Sequence, residues 1–132
     1  MDDDLDDGLR VEVLASALKM GKAESKELLE TLATRLQAMM PEVTTVQRAG
    51  WFMSSERPVK ELIVRFDDCH LQLVKEKTGS LTAVVMKVVR GVVLKSTPTT
   101  VDDWIKTLAT ELSKAAQKDA KTREILNKFV VG

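Results

Sequence analysis

At 132 residues, with 44% hydrophobic side chains and twenty Lys and Arg against twenty Asp and Glu, the chain has the make-up of one globular domain. That balance excludes a wholly disordered chain, and no run approaches the roughly 18–20 apolar residues of a membrane span. A single cysteine, Cys69, excludes an internal disulfide and suits a reducing compartment, while a single histidine, His70, excludes His-rich metal sites and multi-His catalysis.

The N-terminus, Met1-Asp2-Asp3-Asp4-Leu5-Asp6-Asp7, is the reverse of a basic, apolar signal peptide, so a cytoplasmic location is expected. Residues 1–8 read as an acidic disordered tail and 9–132 as a single α+β domain. With five aspartates in the tail, fifteen acidic residues face twenty basic ones in the rest, leaving that body near +5. The excess lies mainly in residues 41–100, where nine basic residues oppose six acidic ones.

Residues 9–40 predict one long helix. Leu14, Leu18, Leu28, Leu32, Leu36 and Met39 keep one face apolar, with Leu29, Ala33 and Met40 widening it. Gly21 is a weak point within it. Pro41 stops the helix, because the residue before a proline avoids the α region.

The period then changes to two. Val43–Arg48 predicts a first strand, and Leu62, Val64 and Phe66 alternate with Glu61, Ile63 and Arg65 in a second. Asp67-Asp68 forms a tight turn, and Leu71 and Leu73 mark a third strand. Gly79 supplies a positive φ in the next turn. Leu81–Val89 is a fourth strand with apolar residues on both faces. Gly91 then marks a bulge or bend, and Val92–Lys95 either extends that strand or forms a short fifth one. Turns this short force antiparallel neighbours, hence a meander.

Ser96-Thr97-Pro98-Thr99 reads as a breaker cluster ahead of a second long helix. Thr100 and Asp103 have the form of a capping box, and Asp102 and Asp103 suit the positive end of the helix dipole. Trp104, Leu108, Leu112, Ala115, Leu126 and Phe129 mark its core-facing stripe. The expected fold is therefore α+β: a long N-terminal helix, an antiparallel meander of four to five strands and a long C-terminal helix, with the helices on one face of the sheet.

The chemistry is read mostly by elimination. The six glycines are too scattered for a phosphate loop. Cys69 and His70 are adjacent in a strand and point to opposite faces, so they do not form a nucleophile–base dyad. Asp67 and Asp68 are explained by their turn. Neither a zinc ligand set nor a calcium loop is present. No enzymatic activity, cofactor, metal or small-molecule substrate is expected. Nucleic acid is disfavoured as a partner, because the basic residues are spread among acidic ones and only five residues are aromatic.

One segment fits partner binding: Gly50-Trp51-Phe52-Met53-Ser54-Ser55-Glu56-Arg57-Pro58. Trp51, Phe52 and Met53 are types that anchor interfaces, and Arg57 is a typical rim residue. The competing expectation is that the first strand continues through Phe52 and buries Trp51 in the core. The helix–meander–helix order is similar to that of small chaperones of bacterial secretion systems, which are non-enzymatic, often dimeric and bind proteins. It is also similar to that of some small nucleoid-associated proteins, and no residue motif carries either likeness. The sequence thus leads to a cytoplasmic protein–protein interaction module of adaptor, chaperone or immunity type. Its partner is another protein, a second copy of itself as a homodimer, or both. The alternative is a DNA-associated dimer.

Overall fold

The computed structural model describes residues 25–50 and 57–118, together with 120, 123 and 124. Helix α1 spans Ser25–Met39 and ends two residues before Pro41, as the proline requires. It is shorter than the helix expected over 9–40, and residues 9–24 of that expectation lie outside the described residues. Leu28, Leu29, Leu32, Ala33 and Leu36 recur every three or four residues and are all buried. Burying a leucine side chain is worth about 1.5–3 kcal/mol, enough to hold a fifteen-residue helix that would be marginal alone.

Five strands follow: β1 Thr44–Arg48, β2 Val59–Arg65, β3 Cys69–Lys75, β4 Leu81–Val89 and β5 Val92–Thr99. They pair in sequence order, each antiparallel to its neighbour, so the sheet is a five-stranded meander with β1 and β5 at its edges. Helix α2, Val101–Lys118, completes the α+β architecture. No described helix is long and apolar enough to cross a membrane.

The registers place most of the buried strand residues on one face. One cross-strand row holds Val46, Leu62, Leu73 and Ala83, and the next holds Thr44, Val64, Leu71 and Val85. Directly opposed residues share a face, and α1 covers this one across β1, β2 and β3. Thr44 is buried here too, its hydroxyl donating to the Leu36 carbonyl that ends α1. The opposite face carries Ile63, Val74, Val84 and Met86, half-buried and interleaved with Gln72 and His70. That face is mixed, as alternation in 81–89 indicates.

The connections obey turn chemistry. Phe66 N–H donates to Cys69 O across the Asp67-Asp68 turn at 2.8 Å. Glu76 N–H donates to Ser80 O at 2.8 Å and Gly79 N–H to Glu76 O at 2.9 Å, with Gly79 at φ +92°. In the link from β4 to β5 the structure corrects the expectation. Val89 opposes Val92 and only Arg90 and Gly91 lie between, at φ +51° and +81°. Two consecutive positive φ values define a type I′ hairpin turn rather than a bulge or bend. Consequently Val92–Thr99 is a full eight-residue strand. The Ser96–Thr99 cluster belongs to it, with Pro98 opposite Val84, because an edge strand tolerates a residue without an N–H.

A left-handed backbone costs a residue with a Cβ roughly 1–2 kcal/mol, and asparagine least. Arg90→Asn should therefore stabilise the protein by about 0.5–1 kcal/mol in urea melts. A loss of stability would show that the arginine side chain holds the turn by a contact of its own.

Helix α2 opens on Thr100, whose hydroxyl accepts the Asp103 N–H at 3.1 Å while its carbonyl accepts the Trp104 N–H at 2.9 Å. Trp104, Ile105, Leu108, Ala109, Leu112 and Ala116 are buried. Glu111 is buried as well, and Lys114 reaches its carboxylate at 3.1 Å. Leu126 and Phe129 lie outside the described residues. The chain divides into two compact units between Trp104 and Ile105. The unit within residues 21–104 holds α1, the sheet and the first turn of α2, and the rest of α2 belongs to the other.

Candidate functional site

Of the residues singled out for partner binding, Trp51, Phe52 and Met53 lie outside the described residues. Arg57 is described and exposed. Its backbone carbonyl accepts Arg48 Nη1 at 2.8 Å. Arg48 Nη1 also lies 3.3 Å from Glu30 Oε1, and the second oxygen of Glu30 accepts the Val59 N–H. Ala49 N–H donates to Pro58 O at 2.9 Å. These bonds join the end of β1, the start of β2 and α1 at the base of the segment 50–57. The role of Glu30 was not legible in the sequence, since its partners stand 18 and 29 positions away.

Cys69 and His70 are set apart as strand alternation demands. Cys69 is buried on the face of Leu71, and His70 lies half-exposed opposite Arg65 and Met86. Among the described residues no three His, Cys, Asp or Glu side chains come together in a way that would hold a metal ion.

What the sequence reading missed is the far end of the β4–β5 hairpin. Val89 is 44% exposed, Val92 59%, Val93 44% and Leu94 61%, the large apolar side chains most open to solvent among the described residues. All four lie within three residues of the turn. They differ from the usual scatter of single apolar residues on a surface, because contiguous exposed aliphatics mark interaction sites. The signal was present in Val88-Val89-Arg90-Gly91-Val92-Val93-Leu94. Aliphatic runs flank an x-Gly pair there, which is compatible with a hairpin turn but does not tell how far the tip stands beyond the covering layer.

The edge itself is guarded. Leu94 is an extra residue in β5, since Val93 opposes Val88 while Lys95 opposes Lys87. A bulge, a lysine and a proline on one edge strand are devices that discourage pairing with a further strand. The tip therefore offers side chains rather than a free backbone ladder. Comparison with protein-family models, with curated proteins and with solved structures finds no match to this chain.

Proposed function

We propose that the chain is a small non-enzymatic protein-binding module of adaptor or chaperone type, and that its docking element is the β4–β5 hairpin tip. The observation that carries this reading is the cluster of Val89, Val92, Val93 and Leu94 in solvent at the end of an edge hairpin. Water around these aliphatics, Val89 and Val92 on one face of the tip and Val93 on the other, is released where a partner covers them, at about 25 cal/mol per Å² of apolar surface. The partner is a different protein rather than a second copy. The Leu94 bulge, Lys95 and Pro98 oppose the edge-to-edge sheet extension by which two copies would most simply pair.

The test is selection of a random peptide display library on the immobilised full chain, followed by the double variant Val92→Ser/Leu94→Ser. Surface changes of this kind should move folding stability by no more than about 0.5 kcal/mol. Selected peptides should lose at least 2 kcal/mol of affinity, roughly thirtyfold. Peptides that bind wild type and double variant alike would place docking elsewhere. Association at about 100 μM in sedimentation equilibrium would instead favour the homodimer. A duplex-DNA shift that weakens steeply with salt would favour the DNA-associated reading.

A further inference from the structure

Resting on that docking reading, we infer that the hairpin takes an acidic polypeptide segment, with a carboxylate seated between Lys87 and Lys95 and an aliphatic side chain on Val89 and Val92. Lys87 and Lys95 are directly opposed across β4 and β5, and both are exposed. Like charges in that position repel, since directly opposed Cβ atoms lie about 4.5–5.5 Å apart. Neither lysine is joined to a carboxylate among the described residues. From Lys77 to Val101 the sequence holds four basic residues, Lys77, Lys87, Arg90 and Lys95, and no acidic one. Asp67 and Asp68 precede Cys69, the β3 residue opposite Lys87, and their turn borders the site on the β3 side, Asp68 O accepting the Val88 N–H at 3.1 Å; Lys95, on the outer strand, lies one strand beyond them. The opposed pair places two positive charges on the rim of an apolar patch, with Lys95 on the side away from the Asp67-Asp68 turn.

Geometry ties the charge to the patch. Val89 opposes Val92, and Lys87 stands two residues before Val89 on the same strand. Both lysines and both valines therefore lie on one face of the hairpin, the pairs separated by a strand repeat of about 6.6–6.8 Å. That is also the distance between side chains i and i+2 of an extended peptide. The complementary ligand is thus acid–x–aliphatic, Asp or Glu followed two positions later by Leu, Val or Ile. A further acid beyond the aliphatic comes toward Arg90 in the turn.

Other polyanions fit less well. Nucleic acid phosphates would engage the lysines and leave Val89, Val92 and Leu94 in water, and residues 77–101 hold no aromatic ring for a base to stack on. An anionic lipid surface draws clusters of about four to eight cations with aromatic anchors, and this tip has three cations and none.

The experiment titrates the ¹⁵N-labelled full chain with the peptide Gly-Asp-Ser-Leu-Ser-Asp-Gly and with two controls, one with Asn for both Asp and one with Ser for Leu. The acidic peptide should shift the amide resonances of residues 87–95. The Asn control should bind at least tenfold more weakly, and so should the Ser control. The exposed double variant Lys87→Gln/Lys95→Gln should remain folded, bind the acidic peptide at least tenfold more weakly and lose the salt dependence of binding. If the Asn control binds as tightly and Val92→Ser/Leu94→Ser abolishes both, the acidic specificity fails and the docking reading stands. If no peptide shifts residues 87–95, the inference fails, and the library selection separately decides the docking reading. Tighter binding of duplex DNA or phosphatidylserine vesicles than of the acidic peptide at these residues would overturn it in favour of that polyanion.

Discussion

Trp104→Ala is expected to destabilise the protein by about 3–5 kcal/mol, a large part of the stability of a chain this size. Trp104 is fully buried in the first turn of α2. Truncating it removes its transfer energy and leaves a cavity that a close-packed interior refills only in part. Among the described residues its indole Nε1–H finds no hydrogen-bond partner. A buried donor without a partner costs about 1–3 kcal/mol, so the native tryptophan is held despite that cost. Trp104→Phe deletes the orphan group with much less loss of volume, and should cost under a third of what alanine costs. Urea melts with linear extrapolation give both numbers. An alanine variant within 1 kcal/mol of wild type would show that the site contributes little packing.

Leu71→Ala should cost about 2–5 kcal/mol, because Leu71 sits fully buried on the central strand β3 between Val64 and Val85. His70→Ala, one residue earlier and on the opposite, half-exposed face, should cost less than about 1 kcal/mol. The contrast tests the register directly. A one-residue slip would exchange the two faces and reverse the order of the two effects. Slow modification of Cys69 by a thiol reagent in the folded protein is the companion measurement, since Cys69 shares the buried face of Leu71.

The middle of the fold was legible because two independent signals agreed there. Alternation in 61–66 and 70–74 fixed the faces, and Asp67-Asp68 and Gly79 fixed the turns between strands. The β4–β5 link is not legible from Gly91 alone. The positive φ of Arg90 beside it makes the turn, and nothing about an arginine announces that conformation. The second half of strand β5 is hidden in the sequence because serine, threonine and proline read as breakers. On an edge, where seven of the eight residues are exposed, burial leaves no periodic mark and a proline is tolerated.

The candidate site was illegible for a different reason. Period two shows which residues share a face, but not how far a covering layer reaches along it. Val89 and Val92 look like core in a strand pattern and become surface only because they stand at the end of the hairpin. The Lys87–Lys95 opposition likewise needs the register, which the Leu94 bulge shifts by one residue.

The order of the strands bears on how the sheet is made. β2 and β3 are separated by three residues, β3 and β4 by five, and β4 and β5 by two. Each of these three ladders can zip as soon as its second strand exists, with little loop-closure entropy to overcome and no distant partner to await. During synthesis the sheet grows by one strand at a time, its newest strand always the open margin. Growth ends at β5, where the Leu94 bulge and Pro98 deny a regular ladder to whatever chain arrives next. The same two residues that shape the finished edge thus act earlier, as the stop at the end of assembly.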